Sequence, residues 1–370
     1  MFFEVVHQSS KSRARVGRIH TAHGIIETPN FVPVATNAAI KAVDSMYINP
    51  LDAQLMFCNT YHLLLHPGPE VVEQAGGLHK FMQREQPIIT DSGGFQVFSL
   101  AYGGVANEIK SRGTKKQEGA ILKISEEGVI FRSYRDGTHL LLTPESSVIA
   151  QKKLGADIII PLDELPPYHL DHKKLVHSFE RTHRWEQRSL ETHKRDRRHQ
   201  HMYAVVHGGV DEQLRLESCK RLLKLDFDGF AIGGSLGKDR KELAHISTYT
   251  AKQIDPAFSI HLLGVGDLES ITACIPAGID TFDSSYPTKC ARHGILLHQD
   301  GPINITRSRW KNIFEPISNV YPTNQYSAAY LHHLFKAHEP IAHTLASIHN
   351  LDFMVRTMKQ IRNQILNNEI

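Results

Sequence analysis

The sequence predicts an α/β fold in which eight parallel strands close into a (β/α)8 TIM barrel. Three observations carry this expectation. Eight short apolar runs rich in β-branched residues recur along the chain, amphipathic stretches of helical length separate them, and carboxylates, glycines or a histidine follow nearly every run. A count of eight matches a closed barrel, whose chemistry sits on the loops at the C-terminal ends of its strands.

The runs cover residues 30–34, 55–58, 87–90, 158–162, 203–206, 229–232, 260–263 and 279–282. Their hydrophobicity is continuous rather than alternating, as in parallel strands covered on both faces. Ahead of them, residues 1–29 read as a small β-hairpin layer, with polar turns around Ser9 to Lys11 and at His23-Gly24. The clearest helix start is Thr143-Pro144-Glu145, an N-cap followed by proline at the first helical position, and Gly155 is placed to end that helix before the next strand. Beyond Ile303 the pattern turns helical, with residues 326–337 and 341–350 both amphipathic. No linker or low-complexity tract interrupts the chain. This predicts one domain over residues 1–370, with an N-terminal β layer (1–29), a barrel core (30–302) and a C-terminal helical subdomain (303–370).

At 370 residues and 41% hydrophobic content the chain can bury a sizeable core. Its four cysteines, Cys58, Cys219, Cys274 and Cys290, lie far apart, which argues against a disulfide framework and against a thiolate metal knuckle. No secretory signal opens the sequence and no segment is apolar enough to span a bilayer, so a cytoplasmic protein with no membrane partner is expected. The net charge of +3 permits a polyanionic partner without requiring one. The densest basic run, His193-Lys194-Arg195-Asp196-Arg197-Arg198-His199, reads first as the solvated end of a helix and second as an RNA contact.

The residues that follow the runs are Asn59, Asp91-Ser92-Gly93-Gly94, Asp163-Glu164, His207-Gly208-Gly209, Gly233-Gly234, Gly264-Val265-Gly266 and Asp283. Any one of these carboxylates alone reads best as a helix N-cap. So many together point to chemistry. Asp91 and Asp283, at separate strand ends, suit a double displacement at an anomeric carbon, one attacking and the other moving protons. Glycines beside them let backbone approach a flat ligand closely. At this level a general glycosidase is the obvious rival.

Longer motifs narrow it. Asp91-Ser92-Gly93-Gly94-Phe95-Gln96-Val97-Phe98-Ser99 resembles the signature of the tRNA-guanine transglycosylases, the queuine tRNA-ribosyltransferase family. Thr28-Pro29-Asn30-Phe31-Val32-Pro33-Val34, Asn59-Thr60-Tyr61-His62-Leu63, Phe227-Asp228-Gly229-Phe230-Ala231-Ile232-Gly233-Gly234 and Gly278-Ile279-Asp280-Thr281-Phe282-Asp283 extend the resemblance over nearly the whole chain. It implies an enzyme that exchanges the wobble guanine of tRNA for a 7-deazaguanine base, queuine or its aminomethyl precursor, through a covalent RNA-enzyme intermediate.

Carried over, the resemblance makes Asp283 the nucleophile at the ribose and Asp91 the general acid/base for the departing and arriving bases. Asp163 reads the guanine edge, Gly234 presents backbone to the same base, Phe95 is its stacking platform, and Ser92, Gly93 and Gly94 line the pocket. The target nucleotide must be splayed out of the anticodon loop to reach it. Gly264, Val265, Gly266, Asp267, Leu268, Glu269 and Ser270 match one anticodon-loop contact, and Thr288, Lys289, Cys290, Ala291 and Arg292 match another.

Four departures matter. The family's structural zinc is held by a Cys-x-Cys-x-x-Cys run and a distant histidine, but those positions here read Ser318, Val320, Thr323 and His349, which predicts no metal and no cofactor. His207 stands where the family has glutamine, and its ring nitrogen can also donate to a base, with shorter reach. Gly237 stands where users of the precursor base carry valine, and Leu165 where they carry cysteine; both favour queuine, although Gly237 reads equally as a turn glycine. Residues 101–120 look like an insertion of roughly twenty residues, longer than usual barrel connections. Its Lys110, Arg112, Lys115 and Lys116 fit a solvated loop first and an RNA contact second.

The resemblance allows a homodimer, as in bacterial relatives, or a heterodimer, as in eukaryotic ones, without the sequence choosing between them, and it brings in two rival readings. One is a non-catalytic tRNA-binding subunit, which the retained Asp91, Asp163 and Asp283 argue against. The other is an archaeosine-type transglycosylase, expected to carry a C-terminal RNA-binding domain that this sequence lacks after Ile370.

Overall fold

The computed structural model describes residues 1–102, 121–168 and 170–370. Three antiparallel strands, β1 (Phe3–Gln8), β2 (Arg15–Thr21) and β3 (Gly24–Thr28), form the layer ahead of the barrel. The barrel strands are β4 (Asn30–Ala35), β5 (Met56–Cys58), β6 (Ile88–Thr90), β10 (Ile158–Ile159), β11 (His201–Val206), β12 (Gly229–Ile232), β13 (Ile260–Leu262) and β14 (Thr281–Ser284). All pair in parallel, and β14 pairs with β4 to close the barrel. Every expected run overlaps one of these strands. The last runs further than expected, so Asp283 lies within it rather than after it.

Both faces of the strands are covered, which is why their runs are continuously apolar. Along β11, Met202, Ala204 and Val206 pack outward among the helices, while Tyr203 and Val205 point into the barrel. There they meet Val32, Phe57, Ile89 and Ala231, together with Phe3, Ile19 and Ile26 of the N-terminal sheet. That sheet therefore plugs the end of the barrel away from the strand C-termini.

Two polar clusters fasten the plug. Arg15 donates to both oxygens of the fully buried Asp280, at 3.0 and 2.6 Å, and the Ile260 amide adds a third bond at 2.7 Å. Asp157 accepts from His23 Nδ1 at 2.7 Å and from the Ile88 amide at 2.9 Å, and His79 Nε2 lies 3.3 Å away. Burial pushes the Asp157 carboxyl up, but these partners outweigh it and hold the group at about 2.

The helix Pro144–Leu154 forms as its sequence demands. Thr143 caps it in a reciprocal capping box with Ser146, and Gly155 ends it at φ +73°. The long helix His172–Arg195 ends in the basic run, where Lys194 and Arg197 pair with Asp226; this is the solvated helix end the sequence suggests. Beyond the barrel come Ala328–Lys336 and Pro340–Leu366. The second runs well past residue 350, because Leu351, Met354, Met358, Ile361 and Ile365 continue its apolar stripe against the barrel.

One element escapes the sequence reading. β7 (Ile121–Ile124), β8 (Val129–Arg132) and β9 (His139–Leu142) make an antiparallel sheet between β6 and the helix Pro144–Leu154. Its strands are short and half-exposed, so they offer no continuous apolar run. Val129, Phe131 and Leu142 nevertheless pack on Tyr61, Phe98 and Trp185. Of the expected insertion, residues 103–120 lie outside the described residues.

Arg15→Met is expected to lower unfolding free energy by about 3–5 kcal/mol, because it strands a buried carboxylate. Urea denaturation reads this, and pairing it with Asp280→Asn is expected to recover part of the loss. A cost below about 1 kcal/mol would contradict the assigned role.

Candidate active site

The strand ends place the functional side chains on one rim. Asp91 follows β6 and is buried, with four donors around it. Asn59 Nδ2 and Gln96 Nε2 donate to Oδ2 at 2.7 and 2.9 Å, and the amides of Thr60 and Gly93 donate to Oδ1 at 2.7 and 3.2 Å. Burial pushes its carboxyl up more than these bonds pull it down, to about 6. A group there exchanges protons readily near neutral pH.

Asp283 is held differently. Its Oδ1 accepts from His261 Nε2 at 3.0 Å and from the Gly264 amide at 2.9 Å, and Oδ2 takes no hydrogen bond among the described residues. His261 Nδ1 lies 2.8 Å from the Thr281 hydroxyl, which fixes the ring with its Nε2 proton on Asp283. One carboxylate oxygen is anchored and the other is open to a ligand.

Asp163 follows β10 beside the Asp91 loop, where Ser92 Oγ lies 3.4 Å from its Oδ1. His207 Nε2 lies 3.1 Å from its Oδ2. A Cβ on Gly234, whose φ is +76°, would come within 3.3 Å of the His207 ring. Phe95 stands 47% exposed at the mouth, able to present a ring face. A shallow pocket with little free volume continues beside His207 and Gly234 toward Leu175 and Phe179. The arrangement suits a flat polar heterocycle held edge-on by Asp163 and backbone.

Comparison with known proteins identifies a family. The family model described as queuine tRNA-ribosyltransferase matches residues 9–370. A queuine tRNA-ribosyltransferase of Protochlamydia amoebophila is 60% identical over 366 residues, 98% of this chain and 95% of its own. Those of Chlamydia caviae and Chlamydia trachomatis serovar L2 are 57% and 53% identical, each covering 100% of this chain and 99% of its own. The chain belongs to the queuine tRNA-ribosyltransferase family. As a member it is a pentosyl-transferring glycosyltransferase.

The family's zinc position is filled otherwise here. The Thr323 hydroxyl lies 2.6 Å from His349 Nδ1, Ser318 Oγ lies 3.4 Å from Thr323 Oγ1, and His349 Nε2 lies 2.9 Å from Leu297 O. These residues do not fit zinc. Both nitrogens of the only imidazole are engaged, the other donors are neutral hydroxyls, and Val320 offers none. Burial pulls His349 down to about 4, so it stays neutral at pH 7. Ligand atoms of His23, His79 and Asp157 lie within 4.8 Å of one another. Their two imidazoles stack in parallel at 3.5 Å, however, so the ring lone pairs run side by side instead of converging.

Gly237 has φ +117°, and a Cβ there would meet Glu242 Cγ at 2.7 Å. The turn requires glycine for its own geometry, so the choice of base does not follow from it. Leu165 packs on the cluster of Tyr61, Phe98 and Trp185. In the two segments matched to the anticodon loop, Val265, Gly266, Ser270, Thr288 and Ala291 are buried against the protein. Gly264, Glu269 and Lys289 are exposed, Asp267, Leu268, Cys290 and Arg292 are half-buried, and Arg292 Nη1 donates to Thr288 O.

Sequence reasoning missed three supports. His261 was hidden inside an apolar run, although a histidine in such a strand is itself a signal. Asn59 was seen only as a strand end, and Gln96 only as part of a motif. Asn59→Ala is expected to move the Asp91 titration higher still, because it removes a bond to the ionised form. A carboxyl 13C NMR titration checks this, and an unchanged or lower midpoint would contradict it.

Proposed function

We propose that this chain is a tRNA-guanine transglycosylase that exchanges the wobble guanine for a 7-deazaguanine base of the queuine type. The observation that carries it is the contrast between two carboxylates on one rim: Asp283 with an open oxygen, and Asp91 buried and pushed up to about 6. The open oxygen of Asp283 attacks the ribose anomeric carbon while the bond to guanine breaks. Asp91 gives its proton to the departing guanine. In the second half Asp91 takes the proton of the incoming base, whose nitrogen attacks the same carbon and expels Asp283. No external reductant, oxidant or cofactor enters the balance.

Asp163 supports base recognition by accepting from the ring and amino N–H groups of guanine, with the His207 ring 3.1 Å from its Oδ2. Asp283→Ala and Asp283→Asn are expected to cut base exchange by about 1000-fold or more while tRNA still binds. Incubation of unmodified tRNA with labelled guanine reads the exchange, and competition by queuine and by its aminomethyl precursor ranks the two bases. A denaturation-resistant RNA adduct should form in the unsubstituted enzyme. Near-normal exchange by Asp283→Ala would sink the mechanism.

The Ser318, Thr323 and His349 cluster supports a second proposal, that the C-terminal region folds without zinc. Metal analysis of protein purified with and without chelator is expected to find substoichiometric zinc and an unchanged melting temperature. One tightly held zinc per chain that disappears in His349→Ala would overturn this.

A further inference from the structure

Behind the base pocket lies a cation that the mechanism does not use. Arg215, on the helix Glu212–Leu222, is fully buried, and among the described residues no carboxylate meets it. Its Nε donates to Gly209 O at 2.8 Å, Nη1 to Val206 O at 2.8 Å and Nη2 to Ser235 O at 3.2 Å. Burying a cation against carbonyls alone is costly. The three carbonyls belong to two strand ends: Val206 closes β11 just before His207, Gly209 lies two residues past His207, and Ser235 follows Gly234 after β12.

One turn along the same helix, Ser218 Oγ accepts the His207 amide at 3.1 Å and meets His183 Nε2 at 2.9 Å. The peptide joining Val206 to His207 is therefore held at its oxygen by Arg215 and at its nitrogen by Ser218. The two residues are three apart and share one helix face. Gly208 completes the fit, since a Cβ there would lie 2.7 Å from the Arg215 backbone nitrogen.

We infer that Arg215 is a positioning residue that locks the His207 and Gly234 loops at a fixed separation and so sets affinity for the free base. A planar fork with five donors can bridge carbonyls on two loops, whereas an ammonium on a flexible stem cannot hold the same spacing. The inference rests on the transglycosylase reading, in which these loops line the base pocket.

The test uses full-length Arg215→Lys and Ser218→Ala with labelled guanine and unmodified tRNA. The KM for guanine should rise about tenfold or more in Arg215→Lys and by a smaller factor in Ser218→Ala, the KM for tRNA should stay within about twofold, and the RNA adduct should still form. An unchanged guanine KM in folded Arg215→Lys overturns the inference. An equal rise in both KM values overturns it too, because that marks general loosening. If Arg215→Lys fails to fold, the same split in Ser218→Ala decides. Absence of any adduct in the unsubstituted enzyme instead removes the transglycosylase reading, and this inference with it.

Discussion

Closing the barrel requires β14 to pair with β4, a strand from the other end of the chain, and the buried Arg15–Asp280 pair sits where that seam begins. Asp280 also takes the Ile260 amide on its side chain and offers its own carbonyl to the Asn30 amide, so one residue ties β13, β14 and β4 together. Three residues further along the same chain is Asp283. The register that Asp280 fixes at the foot of the strand therefore decides where the open carboxylate oxygen stands at its head. An ion pair with no access to substrate thereby governs the position of the residue proposed to attack it.

The barrel was legible because burial on both faces leaves an unbroken apolar signature, as in Tyr203 to Val206 and Gly229 to Ile232. The strand-end carboxylates were legible because a charge next to such a run needs a reason. What did not show was anything whose meaning lies in a partner far along the chain. Asn59 is an ordinary polar residue until the fold brings Asp91 beside it. His261 looks like one more strand residue until Asp283 is placed over it. The sheet of β7 to β9 escaped for the opposite reason: it buries only one face, and its apolar residues are spread too thinly for any pattern to survive. Gly237 marks a further limit, since sequence weighs space in the pocket equally with turn geometry, and the φ angle supports the turn.

The C-terminal cluster shows two ways to organise the same few residues. A metal site stabilises by drawing charged thiolates and an imidazole onto one ion, and its strength depends on deprotonating them. Ser318, Thr323 and His349 carry no negative charge, so an ion among them would be poorly compensated. A directed chain of hydrogen bonds suits them better: Ser318 to Thr323, Thr323 to His349, and His349 to the Leu297 carbonyl. Such a chain is weaker per contact than metal ligation, so the surrounding packing must carry more of the load. In the same C-terminal region Leu331, Leu334, Leu345 and Ala346 pack into one apolar cluster.

Placing two aspartates on one rim creates a problem that the two environments resolve. In the proposed mechanism one of them attacks while the other carries a proton, so the two cannot behave alike. Asp91 sits in a buried pocket whose donors only partly offset the cost of its charge, and it therefore settles where a proton can come and go. Asp283 has a histidine ring nitrogen and one amide on a single oxygen, which fixes its orientation without filling its other lone pairs. His261 Nδ1 rests 2.8 Å from the Thr281 hydroxyl, so the ring that orients Asp283 is itself held from behind.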